Sequence, residues 1–312
     1  AGKLILLSCD NIQGNGDVLK IALLTFLNAY DETLVPYVKE QIDFPNSMVD
    51  RITPTTTEID KIDFEYKYGY NDKCLVICED FLQWIIEKDE SVDFPPLESV
   101  GVVFTDDVKP YEEMKLRVLN GGHSLVGLLG SALNYNYIHE AVKNEQISKL
   151  FDYYMDYDVI PSLSKISNVD YRAYVYQVKN RFGNKLIKDS VDRIISFSSS
   201  KIPKFVLPVI NNSLSSNKIS IGSMLILAAW WHYLNELIAK QQFGKIQDIN
   251  RDAWISVFSS GNSVEAFLNR QDIFGDIGNN IQVVNQVKKL VNMINSKGMV
   301  ATCNYVLKTV QN

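Results

Sequence analysis

The patterning of the chain changes character near residues 106–110, and that change limits what it can fold into. Ahead of Asp106 the signals are mixed. Lys3–Cys9 reads as a buried strand and Asp17–Tyr30 as an amphipathic helix. Ile62–Tyr70 alternates with period two like a half-exposed strand, and Cys74–Glu79 and Gly101–Thr105 read as further strands. After Lys109 the apolar residues recur with helical spacing, interrupted by short Gly, Pro, Ser and Asn breaks. The clearest stretches are Ser124–Leu133, Ser148–Tyr157, Tyr171–Arg181, Ser220–Lys240 and Val283–Asn295. The tail, Gly298–Asn312, is apolar enough at Val300, Val306 and Leu307 to pack as a terminal helix. The chain is therefore expected to be mainly α, with a mixed α/β region over residues 1–106 and a multi-helical domain over 107–312.

The longest apolar run, Ile219–Leu234, contains His232 and is short for a membrane span, so it predicts a buried core helix. With 312 residues, 46% of them hydrophobic, the chain can bury a full core without covalent staples. A net charge of -6 and no polybasic stretch argue against nucleic acid as a partner. Cys9, Cys74, Cys78 and Cys303 have neither paired C-x-x-C spacing nor a dense framework, which fits reduced thiols. The three histidines, His123, His139 and His232, lack metal-ligand spacing, so no metal is expected. No signal peptide is evident, and the cytoplasm is the expected location.

The segment Asp106–Gly130, DDVKPYEEMKLRVLNGGHSLVGLLG, concentrates chemistry. Pro110 followed by Tyr-Glu-Glu opens a helix, with Glu112 and Glu113 at the positive end of its dipole. At about 100° per residue, Asn120 and His123 share a face and His123 is turned only about 80° from Lys115. A desolvated lysine exchanges a proton with a hydroxyl near neutral pH, and an asparagine amide donates to an oxygen whose charge is changing. These are the needs of alcohol–ketone interconversion. Gly121-Gly122 costs helix stability unless a substrate, a cofactor or a second helix approaches the backbone there. The alternative reading is plain: Lys115 a solvated lysine, Asn120 a C-cap, His123 a core histidine.

Lys115, four residues, Asn120, two residues, His123 resembles the substrate motif of the polyol-specific long-chain dehydrogenases, the mannitol 2-dehydrogenase and hexuronate reductase group. Phe44–Pro54, FPNSMVDRITP, resembles that family's signature, and Ser8–Gly16, SCDNIQGNG, its loop bearing a second catalytic asparagine. Weaker similarity runs through Val76–Glu87 and through Ser190–Pro208. The resemblance implies Lys115 as general acid-base, Asn11 and Asn120 as the amides on the reacting oxygen, and Glu112 as a proton relay. It further implies that Asp50, His123, Arg193 and Lys201 hold the remaining hydroxyls. Asp50 beside Arg51 also fits a local ion pair, and Arg193 and Lys201 also fit surface charges.

The resemblance implies an NAD(P)-dependent oxidoreductase acting on a polyol–ketose pair, mannitol and fructose first, as a monomer. Its helical domain should be like the C-terminal domain of 6-phosphogluconate dehydrogenase. A hexuronate reductase of the same family and a noncatalytic helical binding domain are the alternatives. No G-x-G-x-x-G fingerprint occurs; GNGD at Gly14–Asp17 lacks the third glycine and reads as a turn before a helix capped by Asp17. The Rossmann domain is accordingly expected to precede Lys3. Residues 1–106 would then be a remnant of it, and the chain alone would neither bind NAD(P) nor turn over.

Overall fold

The computed structural model describes residues 4–88, 94–261 and 263–309; Lys3 and residues 310–312 of the expected first strand and terminal helix lie outside these. The chain divides into two compact units, residues 1–115 and 116–312.

In the first unit, β1 (Leu4–Ile5) is followed by α1 (Asn15–Tyr30), α2 (Val35–Gln41) and β2 (Ile42–Asp43), and β1 pairs in parallel with β2, Leu4 opposite Ile42. This is a βαβ crossover, with Gly14–Asp17 at the turn from strand to helix. Leu27, Val38 and Ile42 form its small core, with Leu6, Leu23, Leu24, Val35 and Phe44 packed on them. α1 is not amphipathic as expected: Val18, Ala22, Phe26 and Tyr30, four residues apart, make a second apolar stripe that is exposed. Its N-cap is Gly14, at φ 60°, with Asp17 inside the first turn rather than capping it. Gly16 has no room for a side chain, since a Cβ there would sit 2.4 Å from the Phe44 carbonyl oxygen.

A second sheet joins β3 (Ser47–Asp50), β4 (Gln83–Glu87) and β5 (Val103–Thr105). β3 and β4 are antiparallel, and β4 and β5 parallel. Met48, Ile85 and Val108 are buried against it with Tyr111 alongside. Two expected strands are not strands. Ile62–Tyr70 falls mostly in α3 (Glu58–Tyr68), because Thr57 and Asp60 close a capping box and Gly69, at φ 77°, ends the helix. Cys74–Glu79 runs without regular structure beside Ile52–Thr56, with Glu79 N donating to the Ile52 carbonyl and Ile77 N to Thr56 Oγ1 but no strand ladder. α4 (Lys109–Met114), with Pro110 in its first turn, completes the unit as expected.

The second unit is helical. From Lys115, the last residue of the first unit, a turn of π-helix (Lys115–Asn120) leads into α5 (Gly121–Ala132). There follow α6 (Ile138–Ala141), α7 (Glu145–Tyr153), a second π segment (Tyr154–Val159), α8 (Tyr171–Phe182), α9 (Val191–Ile195), α10 (Ser198–Phe205) and α11 (Leu207–Ser215). α12 (Ile221–Ala239), α13 (Arg251–Ser259), α14 (Val264–Leu268), α15 (Gln271–Phe274), α16 (Ile281–Lys297) and α17 (Met299–Lys308) finish it. α12 is the expected core helix, buried from Ile221 to Trp231. Trp230 meets Trp254 and Phe267 edge-on, at centroid distances of 5.2 and 5.1 Å. No helix among the described residues is long and apolar enough to cross a membrane.

Candidate active site

The first unit brings Lys115, Asn11 and Glu112 together. Lys115 is buried, and its Nζ donates to Asn11 Oδ1. That bond fixes the amide: with its oxygen turned to the ammonium, the two N–H donors are left for an oxygen acceptor. Glu112, one turn ahead of Lys115, accepts at Oε1 from the Gly14 backbone N–H at 3.0 Å. Burial raises its pKa, and Glu87 adds to this, against the opposing pull of Gly14 N–H, Lys109 and Lys115. Asp50, the last residue of β3, is 2% exposed. Arg51 Nε donates to the Glu79 carbonyl at 2.8 Å, and Glu79 Oε1 accepts from Ile52 N at 2.6 Å.

Asn11 is itself exposed, so its loop needs anchoring from elsewhere. Asn15, 1% exposed, donates through Nδ2 to the carbonyls of Ser8 (3.0 Å) and Asp10 (3.1 Å) and accepts at Oδ1 from Ser47 N (2.8 Å). Asn46 Oδ1 accepts from the N–H groups of Gly16 (3.0 Å) and Asp17 (3.2 Å), and its Nδ2 donates to Asp17 and Glu87. Sequence reasoning passed over Asn15, Asn46 and Glu79. Each lies inside a matched stretch, but the bonds that tie it across the chain, Asn15 to Ser47, Asn46 to Gly16 and Glu87, and Glu79 to Ile52, leave no spacing signal.

In the second unit, His123 stacks on Phe182 with centroids 3.9 Å apart and planes 12° from parallel. Burial first, then the charges of Arg193, Arg181 and Lys201, hold its pKa well below the usual histidine value, so the ring is neutral. Arg193 makes a two-pronged pair with buried Asp189, Nε to Oδ1 at 2.6 Å and Nη2 to Oδ2 at 2.5 Å. Lys201 Nζ donates to the Ile194 carbonyl at 2.8 Å, near the end of α9; burial lowers its pKa to about 8. Arg193 is exposed and Lys201 is half-buried. Asn120 Oδ1 is a buried acceptor with no partner among the described residues.

The π turn corrects the helical-wheel argument. Its i→i+5 hydrogen bonds widen the turn, so about 100° per residue does not carry from Lys115 to Asn120. The glycine pair is explained by a second helix. A Cβ on Gly122 would lie 2.7 Å from Phe151 Cε2 and 2.9 Å from Met155 Cε, and one on Gly121 would lie 3.0 Å from Tyr154 Oη.

A dinucleotide places its pyrophosphate on free N–H groups at a helix N-terminus after a parallel strand. The N-terminus of α1 does not fit that group. Gly14 N–H is spent on Glu112, and Gly16 and Asp17 N–H on Asn46.

Residues 1–98 match the mannitol dehydrogenase Rossmann domain, and residues 107–295 the mannitol dehydrogenase C-terminal domain. The chain is 35% identical to mannitol dehydrogenase 2 of Saccharomyces cerevisiae over 98% of its own length and 62% of that protein's. It is 33% identical to mannitol 2-dehydrogenase of Aspergillus fumigatus, over 95% of the chain and 60% of the relative. The structure of Pseudomonas fluorescens mannitol 2-dehydrogenase in ternary complex with NAD and D-mannitol superimposes with a TM-score of 0.83 at 33% identity, covering 97% of this chain and 62% of that one. The chain thus spans about three fifths of the length of these relatives. The expectation that the Rossmann domain lies wholly ahead of Lys3 is corrected, since residues 1–98 themselves match it. That expectation rested on a missing glycine fingerprint, whereas the crossover from β1 to β2 is formed without one. With one domain match on either side of residues 99–106 and the second covering more than half of the sequence, the chain belongs to the mannitol dehydrogenase family.

Proposed function

We propose that this chain supplies the substrate and proton-transfer machinery of an NAD(P)-dependent polyol dehydrogenase interconverting a sugar alcohol and a ketose, mannitol and fructose first. The single observation that carries this reading is the buried Lys115 ammonium donating to the Asn11 amide oxygen, with Glu112 one helical turn away. A bound nicotinamide cofactor supplies the hydride acceptor, and the chain's own residues handle the alcohol and its proton.

Lys115 in its neutral form takes the hydroxyl proton. The Asn11 N–H groups, aimed by the bond from Lys115, then donate to the oxygen as negative charge develops on it. Asn120 is assigned the same task on the strength of the matching motif. Glu112, its acid form favoured by burial, passes the proton between Lys115 and water. Asp50 and neutral His123 are assigned to the remaining hydroxyls, the imidazole offering one donor and one acceptor. Arg193 and Lys201 are assigned there too, but the guanidinium is committed to Asp189 and the ammonium to the carbonyl of Ile194. That commitment favours a neutral polyol over a hexuronate, whose carboxylate requires a cation.

Turnover of mannitol, arabinitol and fructuronate by the full-length natural protein tests the substrate class; no activity on either neutral polyol overturns it. In the same protein Lys115→Ala should lower kcat by about 10²- to 10⁴-fold. A near-normal rate removes Lys115 from the role of acid-base.

A further inference from the structure

Asn11 is exposed, and its place beside Lys115 has to be set by the loop that carries it. Three attachments hold that loop. The Asn15 amide clasps the carbonyls of Ser8 and Asp10, on either side of Cys9 and immediately ahead of Asn11. The same amide is pinned to β3, accepting from Ser47 N and donating to Ser47 Oγ at 3.3 Å, while Ser47 Oγ donates back to the Ser8 carbonyl at 2.6 Å. Beyond Asn11, Gly14 N–H is tied to Glu112. Of these attachments only Asn15 reaches both Ser8 and Asp10, and it is buried at 1% exposure with its donors and its acceptor engaged. A buried amide so fully used resists reorientation, because turning it would leave a donor or acceptor unsatisfied in a water-poor place.

We infer that Asn15 is a positioning residue for the proposed proton transfer: it sets the loop so that the Asn11 oxygen meets Lys115 and the Asn11 N–H groups face the reacting oxygen. The inference rests on the polyol dehydrogenase reading for its catalytic consequence, but its structural content does not. Asn15 touches neither Lys115 nor Glu112 through any bond described above; it acts through Asn11.

Two measurements on the full-length natural protein test this. In the first, Asn15→Ala is compared with Asn11→Ala and the double variant. Displacement of a reacting group by about 1 Å costs on the order of 10²-fold, so Asn15→Ala should lower kcat by about 10- to 100-fold with the cofactor KM unchanged. Added to Asn11→Ala, it should cost less than about twofold more, since the residue it positions is already gone. Additive losses overturn the inference. In the second, the pH dependence of amine acylation at Lys115, read by peptide mass, needs no turnover. Asn15→Ala should shift the Lys115 labelling midpoint in the direction and to the extent that Asn11→Ala does; a parental midpoint overturns the inference. If the polyol assays are silent for the parent enzyme while the labelling midpoints move together, the functional reading fails and the positioning role stands. Should Asn15→Ala not fold, Asn15→Asp takes its place, keeping the acceptor for Ser47 N and losing the donors to Ser8 and Asp10.

Discussion

Asp158 has no part in the proposed chemistry, yet it is buried and accepts from Ser223 N at 2.7 Å and Ser223 Oγ at 3.1 Å. Ser220, the residue before α12, makes no side-chain cap of its own, so Asp158 caps that helix from a different element. Burial raises its pKa from the ordinary 3.8 to about 7, outweighing the bonds from Ser223 and Gly222 that pull it down. In that window the folded chain holds a proton that the unfolded chain has released, so stability is greatest below the ordinary value and falls as pH climbs toward about 7. Asp158→Asn keeps an acceptor for Ser223 N and removes the titration. Denaturant unfolding across that range should show stability falling more steeply with pH in the parent than in the variant; equal slopes would place the titration elsewhere.

At the scale of elements, α3 shows how local chemistry outvotes a pattern. Ile62, Phe64, Tyr66, Tyr68 and Tyr70 alternate with their neighbours as a strand would, but alternation decides a strand only when one face is buried, and α3 buries no residue. The decision falls to Thr57, Asp60 and Gly69, with the Glu58–Lys61 pair and the Phe64–Tyr68 ring contact at 4.7 Å in support. Thr57→Ala should therefore cost about 1 kcal/mol locally and lower hydrogen-exchange protection over residues 58–69 about fivefold. The global melting temperature should hardly move, and a variant that melts earlier as a whole would show that α3 supports more than itself.

For the whole molecule, the helical second unit was legible because α7, α8 and α16 each bury a helical stripe, while α5 from Gly121 to Gly130 and α12 from Ile221 to Trp231 are buried all round. In the first unit the strands are two to five residues long, too short for a period to declare itself. Cys74–Glu79 shows the reverse error, an apolar run that never pairs as a strand. Of the candidate site, Lys115 could be picked out from motif spacing, and Asn11 and Glu112 only through the family resemblance; the three lie together in the first unit. Those that act by placement, Asn15, Asn46 and Glu79, could not, since their partners lie up to 41 positions away. The π turn was equally hidden, because nothing in KLRVLN distinguishes it from α-helix by composition.

The exposed stripe on α1 has a colloidal consequence. Phe26 at 59% and Tyr30 at 76% exposure on the stripe, with Ile21 at 65% beside its Val18 end, give one helix a greasy outer flank, and dispersed copies of the 312-residue chain will lower their free energy by pressing such flanks together. Light scattering should accordingly rise with concentration and with added sulfate, which strengthens apolar association. Phe26→Lys with Ile21→Lys should move that onset to higher concentration without changing the melting temperature, because the opposite flank, Leu23, Leu24 and Leu27, is the one that holds the helix down.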